Sequence, residues 1–188
     1  MSILSETQNK LRGKKFNLRP LVVADVSDAY IGWLNDPVVN QFLEARFSKQ
    51  STETARAYVA GYYEGGEKYI WGIYPQGSKD FIGTATLSEI RPEHGWGEIG
   101  LLIGDKLFWG KNASTEALDL VVKFGFQVLK LRRLTGGSYA PNLGMNFTFK
   151  RCGFRCEAKL VRAYRLGENQ YVDGYRWGLL AEEWRERK

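Results

Sequence analysis

The chain has 188 residues, 44% of them apolar, with one histidine, two cysteines and a formal net charge of +6 at pH 7. That length suits one domain with a core of its own, and the positive balance favours anionic partners without choosing among them. Cys152 and Cys156 stand four apart with His94 distant in sequence, too little soft ligand for a structural zinc site or a disulfide framework, so no metal is expected.

The opening, MSILSETQNKLRGKK, has no apolar region of signal-peptide length, and no later stretch approaches the roughly 20 apolar residues of a membrane span. Residues 1–14 are therefore expected to be a flexible leader, and the protein cytoplasmic with no membrane partner. Phe16 and Leu18 then alternate with Asn17 and Arg19 up to Pro20, the pattern of a short strand. Asp25 is placed to cap a helix with Val26, Ala29, Tyr30, Trp33 and Leu34 at helical spacing, stopped by Asn35-Asp36-Pro37. Ser51-Thr52-Glu53 opens a second helix, with Ala55, Tyr58, Val59 and Tyr62 on one face and Gly65-Gly66 closing it. Between the two helices, VVNQFLEARF has no clear period.

From Tyr69 the period becomes extended. YIWGIYP, FIGTATLSEI and WGEIGLLI are rich in β-branched and aromatic residues and separated by turn signals, which predicts three antiparallel strands. After FWGKN comes a helix with Ala113, Ala117, Val121, Phe124 and Val128 on one stripe and Leu118, Val122 and Leu129 beside it, an apolar face wide enough to bury against a sheet. RRLTGGSYA reads as a strand, NLGMNFTFKRCG as a short helix, and FRCEAKLVRAYRL and YVDGYRWGLL as two long strands. The expected fold is one α/β domain with a mixed, mostly antiparallel, twisted sheet in the order β-α-α-β-β-β-α-β-α-β-β. Its central strand-loop-helix-strand unit predicts a parallel pair, with ligand outside the carboxyl end of the first strand.

The loop before the third long helix has two readings. A helix start leaves N–H groups without intrahelical partners and carries about half a positive charge, so it suits an anion. Gly110 lets backbone approach closely, and Asn112 tolerates a left-handed conformation. Equally, Gly110 and Asn112 make an ordinary strand-to-helix turn with Asn112 as its cap. Neither the P-loop nor the G-x-G-x-x-G pattern is present.

WGKNASTEAL resembles the W-G-x-G-x-A-T-E-A-L segment of the GNAT acyltransferase superfamily, in the group that includes the ribosomal-protein N-terminal (alanine/serine) acetyltransferases. The resemblance runs through Glu98-Ile99-Gly100, Asn142, Gly153-Phe154 and YVDGYRWGLLAEEW, and covers residues 15–185 in order. It implies a GNAT-like domain over that span, acetyl-CoA as acyl donor, and transfer of acetyl to a primary amine by direct attack through a tetrahedral intermediate. By the same resemblance, Leu107, Trp109, Gly110, Lys111, Asn112, Ala113 and Ser114 form the pyrophosphate loop. Leu101, Leu102 and Ile103 offer strand backbone to pantetheine, and Asn142 contacts the cofactor arm. Leu107 departs from the family's Arg or Gln, and Asn112 from its second small residue.

The attacking amine must be neutral, and an alkylammonium with a pKa near 10 is almost wholly protonated at pH 7, so a base is needed. Glu98, opposite in face to Ile99 and Leu101 and, by the resemblance, at a position where many relatives carry a carboxylate near the acceptor amine, is the candidate base; the bland alternative is a surface or salt-bridged carboxylate. Relatives usually carry a Tyr seven residues, or a Ser three residues, after the motif Asn; here those positions are Phe149 and Met145, which cannot donate. Tyr139 is the nearest alternative acid, or the thiolate takes its proton from solvent. Trp96, on the face of Glu98, is placed to wall an acceptor pocket, and Glu44 and Arg46 to meet charged substrate groups. The acceptor is a protein N-terminus or a small amine such as an amino sugar. Competing readings are a non-catalytic acyl-CoA sensor and a nucleic-acid-binding module. The latter needs basic and aromatic residues on one exposed face, whereas the aromatics here follow buried periods, so no nucleic-acid partner is expected. A monomer or homodimer is expected.

Overall fold

Residues 10–65 and 67–186 are described in the computed structural model. The strands are β1 (Leu11–Arg12), β2 (Phe16–Pro20), β3 (Tyr69–Pro75), β4 (Gly83–Arg91), β5 (Trp96–Ile103), β6 (Arg133–Tyr139), β7 (Arg155–Gly167) and β8 (Gln170–Leu180). The helices are α1 (Asp28–Asn35), α2 (Thr52–Gly61), α3 (Ala113–Lys123), α4 (Leu143–Arg151) and α5 (Ala181–Glu186), and a π-type turn, Phe124–Val128, extends α3. One eight-stranded sheet runs β1-β2-β3-β4-β5-β6-β8-β7, antiparallel throughout except where β5 pairs parallel with β6.

Strand alternation sends side chains to two separate cores. Leu18, Trp71, Ile73, Ala85, Leu87 and Ile99 pack with Ala117, Leu118 and Val121 of α3 on one face. Leu21, Ile70 and Leu102 pack with Tyr30, Leu34, Ala55 and Val59 of α1 and α2 on the other. The period-2 and period-3.6 patterns thus converge on a sheet covered on both faces.

Two local readings are corrected. Asp25 does not cap α1: its carboxylate accepts the Val22 N–H at 2.9 Å in the preceding 3-10 turn, and Ser27 caps α1 by accepting from Tyr30 N–H at 3.3 Å. Of the expected leader, residues 1–9 lie outside the described residues, while Leu11 and Arg12 pair with Leu18 and Asn17. That hairpin is anchored to α3, because the Glu116 carboxylate accepts the N–H groups of Lys15 at 2.8 Å and Phe16 at 3.3 Å. α2 opens after Ser51, within the expected Ser51-Thr52-Glu53, and Ser51 caps it by accepting from Thr54 N–H at 3.2 Å.

The junction of β6 and α4 is closely packed. Phe149 is fully buried, stacked on Trp177 at 5.6 Å and 18°, and its ring tip lies where a Cβ on Gly136 would sit, 2.3 Å from Cζ. Gly136→Ala is expected to displace that ring at a cost of about 1–3 kcal/mol. In a thermal melt this lowers Tm by about 2–10 °C, with the unbound protein as the sample.

Candidate active site

The parallel ladder between β5 and β6 is three pairs long, Trp96 with Arg133, Gly97 with Leu134 and Glu98 with Thr135. Beyond Glu98 the strands part. β5 stays paired to β4 up to Ile103, while β6 stays paired to β8 up to Tyr139, so the two neighbours open as a fork. The fork leads into a cleft of about 510 Å³, within the range of small-ligand sites. Leu101, Leu102 and Ile103 form one wall, the start of α3 and the inner side of α4 the others, and residues 38–43 close over it. The edge of β5 that faces the opening makes no ladder there, so strand backbone is presented to whatever enters.

At the α3 start, Gly110 (φ 74°) and Asn112 (φ 63°) both adopt the left-handed conformation. The first intrahelical bond is Glu116 N–H to Asn112 C=O at 3.0 Å, which leaves the N–H groups of Ala113, Ser114 and Thr115 beyond the reach of the ladder. Asn112 does not cap them. Its Oδ1 instead accepts from Arg151 Nη1 at 2.9 Å. Between the two readings of this loop, the geometry therefore disfavours a capped turn: the donors and the positive helix end open into the cleft, and nothing stands within 4 Å of the place a Gly110 Cβ would occupy. A diphosphate-bearing cofactor fits this arrangement.

The remaining loop residues divide. Trp109 lines the cleft and donates from Nε1 to the Ile103 carbonyl at 2.9 Å, pinning the loop to the end of β5. Ser114 lines it too and shares a hydroxyl hydrogen bond with Thr148 at 3.0 Å, which ties α3 to α4. Leu107 is 74% exposed and lies outside the lining. Lys111 also lies outside it, with its Nζ 5.4 Å from the Phe108 ring centre. Lys106 pairs with Asp36 at 2.5 Å, and its hydrogen bond holds the Asp36 carboxyl below the usual carboxylate range. Asn142 lines the cleft as the cap of α4, accepting from Met145 N–H at 3.1 Å. Met145 is beside it in the lining, while Phe149 is core.

Glu98 is the last β5 residue paired to β6, so it sits at the crotch of the fork. Both its oxygens accept from Arg176, Oε1 from Nη1 at 3.1 Å and Oε2 from Nη2 at 2.7 Å, and this bond, ahead of the desolvation that opposes it, raises the pKa of the guanidinium. Over the bare backbone of Gly137 the same face gathers Glu98, Arg176 and the Tyr164 hydroxyl. Tyr139 stacks on Tyr164 at 4.4 Å and donates its hydroxyl to Glu44 at 2.8 Å; burial, then that bond, pushes its phenol above the ordinary value. Arg46 donates to the carbonyls of Leu166, at 3.0 Å, and Arg165 in the β7–β8 turn. The residues expected on the acceptor side, Glu44 and Arg46, thus meet Tyr139 and the hairpin. Trp96 is left at the paired end of the fork, opposite Arg91 and Arg133, and does not line the cleft.

Sequence reasoning did not single out Arg176 or Arg151. Arg176 is 78 positions from Glu98, and only the β6–β8 pairing brings it there. Arg151 follows Lys150 at a helix end, which reads as ordinary solvated charge.

Residues 15–155 match the acetyltransferase (GNAT) domain family. A Bacillus subtilis (strain 168) protein named "Probable N-acetyltransferase YjcK" is 34% identical over 153 residues, covering 78% of this chain and 84% of that one. Among solved structures, the chain superposes at a TM-score of 0.81 and 18% identity on a spermidine N-acetyltransferase from Vibrio cholerae in complex with CoA and spermine, over 92% of this chain and 99% of that one. RimL, a ribosomal L7/L12 alpha-N-protein acetyltransferase in complex with coenzyme A, superposes at 0.78 and 19% identity, over 91% and 97% of the respective chains. These two likenesses speak for the fold, and the family match over most of the chain for more: the chain belongs to the GNAT acetyltransferase family.

Proposed function

We propose that the protein transfers an acetyl group from acetyl-CoA to a primary amine. The observation that carries this reading is the fork: the unpaired edge of β5 at Leu101–Ile103 runs straight to the uncapped start of α3. Bound there, acetyl-CoA supplies an acetyl group activated as a thioester. The N–H groups of Ala113, Ser114 and Thr115 hold its diphosphate, Leu101, Leu102 and Ile103 hold the amide-bearing arm by strand-like hydrogen bonds, and Asn142 and Met145 flank that arm from α4. Charge that develops on the carbonyl oxygen under attack is met by backbone N–H groups of the same β5 edge.

The amine enters from the face of Glu98, below the β7–β8 hairpin and residues 38–47. Glu98 is fixed by Arg176 and retains lone pairs beyond the two bonds it accepts, so it takes the ammonium proton through one water. Tyr139 holds its own proton at neutral pH, since its pKa is raised, and is the candidate donor to the leaving thiolate once its hydroxyl turns away from Glu44, which accepts it in the unbound protein. The acceptor class is a protein N-terminus or a small amine; Glu44 and Arg46 are the charged groups it meets first. A second reading, acyl-CoA binding without turnover, draws on Met145 and Phe149, which offer no proton.

Acetyl-CoA at 100 times its dissociation constant is expected to stabilise the protein by about 2.7 kcal/mol, a clear rise in Tm that ATP does not reproduce; no rise at saturation removes the acetyltransferase reading. In a thiol-release assay across amine acceptors, Glu98→Gln is expected to lower kcat/KM by about a hundredfold or more with acetyl-CoA affinity unchanged. Wild-type binding with no thiol release on any amine selects the second reading. Tyr139→Phe keeps the ring stack and is expected to cost about tenfold or more in kcat, while an unchanged kcat assigns the leaving-group proton to solvent.

A further inference from the structure

The helix start supplies dipole and N–H donors, but a diphosphate also carries full negative charges. Each cation near the loop can be followed to its partner. Lys106 is held by Asp36, and Lys111 lies over the Phe108 ring outside the cleft. Among the described residues that line the cleft, Arg151 is the one charged side chain, and no carboxylate is present there to neutralise it. It comes from the opposite wall, the last turn of α4, where the negative helix end favours a cation. Its stem passes Phe147, with the guanidinium 5.7 Å from that ring centre.

Arg151 is also aimed. One Nη1 hydrogen is taken by Asn112 Oδ1 at 2.9 Å, and Asn112 stands at the left-handed position that ends the loop and starts α3. A guanidinium has five N–H donors, so four remain once Asn112 is served, in a fork geometry that matches phosphate oxygens. Asn112 is thus a clamp that faces the cation toward the N–H groups of Ala113, Ser114 and Thr115.

We infer that Arg151, oriented by Asn112 across the mouth of the cleft, grips the diphosphate of the bound coenzyme together with the α3 start. The inference rests on the proposed acetyl-CoA site and makes Arg151 a binding residue and Asn112 a positioning residue. Because the guanidinium meets phosphate and not the reacting thioester, the chemistry itself is untouched: variants at either position change the affinity for coenzyme A and the KM for acetyl-CoA, and leave kcat near wild type.

The test is calorimetric titration of the full chain with coenzyme A. A charge-assisted bond to phosphate predicts that Arg151→Gln raises Kd about 10- to 100-fold, with Arg151→Lys between the two because a point charge replaces the fork. Asn112→Gly, which keeps the left-handed backbone at no steric cost, is expected to weaken binding by less, and the double variant Arg151→Gln, Asn112→Gly to be no weaker than Arg151→Gln alone. Dephospho-coenzyme A, which lacks only the 3′-phosphate, is expected to show the same loss on Arg151→Gln. Equal Kd for wild type and Arg151→Gln overturns the inference, as does a loss that vanishes with dephospho-coenzyme A. Additive losses in the double variant overturn the role of Asn112. A wild-type protein that does not bind coenzyme A removes the proposed function along with the inference, whereas binding that is indifferent to Arg151 removes the inference alone. Ligand-free melts with unchanged Tm show that the exposed substitutions leave the fold intact.

Discussion

Three backbone pairs join β5 to β6, and the ladder then stops. A sheet normally satisfies its strands with one another, and an unpaired edge in mid-sheet is unfavourable unless something else takes its donors and acceptors. The rest of the molecule is arranged to hold that edge open. β6 is held in place by β8 along its other edge and by Phe149 packed over Gly136 on its face. α4 is fastened there by a buried chain of polar contacts: Trp177 Nε1 donates to Ser138 Oγ at 2.8 Å, Ser138 Oγ donates to Asn146 at 2.6 Å, and Asn146 donates to the Ala140 carbonyl at 2.9 Å. A fully satisfied network of this kind specifies one arrangement of helix on strand. The walls of the cleft therefore follow from where a ladder ends.

The charge balance makes a related point. The chain carries a net charge of +6, yet almost none of it is spent inside the cleft. Lysines near the loop are paired or lie outside, and the anion-directed groups are backbone N–H, a helix end and one guanidinium. Such fixed dipoles need no rearrangement when a ligand arrives. On the far face of the sheet the opposite choice is made: Glu98 is paired with Arg176 and Glu44 with Tyr139, and Arg46 donates to two carbonyls while its Nε is buried without a partner. A preformed, open donor surface lies on one side of the fork and a polar lining mostly engaged with itself on the other.

Much of this was legible in the sequence because two periods are hard to mistake. YIWGIYP and WGEIGLLI coincide with β3 and β5, and of the apolar stripe Ala113, Ala117, Val121 and Phe124 are buried, while Val128, in the π-type turn where the helical period changes, is exposed. Turn chemistry was less legible. Ser27, two residues after Asp25, is the helix cap, and both residue types suit that position, so only the backbone distinguishes them. Leu11–Arg12 is too short to show a period. At the site, Gly110 and Asn112 stand out through local backbone needs, Ala113 through the family resemblance, and Glu98 through its place on a strand together with that resemblance. Arg176 and Arg151 do not, since their partners are 78 and 39 positions away and an arginine on a strand face or at a helix end carries no local signature. Leu107 and Trp96 show the converse: a position matched in a motif, or a shared strand face, does not say that the side chain reaches the cleft.

Residues 38–47 belong to both halves of the site. Phe42 lines the cleft and lies 5.7 Å from the Tyr139 ring, Glu44 holds the Tyr139 hydroxyl, and Arg46 is fastened to the β7–β8 turn. Under the proposed function, a single short segment borders the donor's space at one end and the acceptor's at the other. Any free energy that the first ligand spends in setting this segment is then felt by the second, equally in either order of arrival.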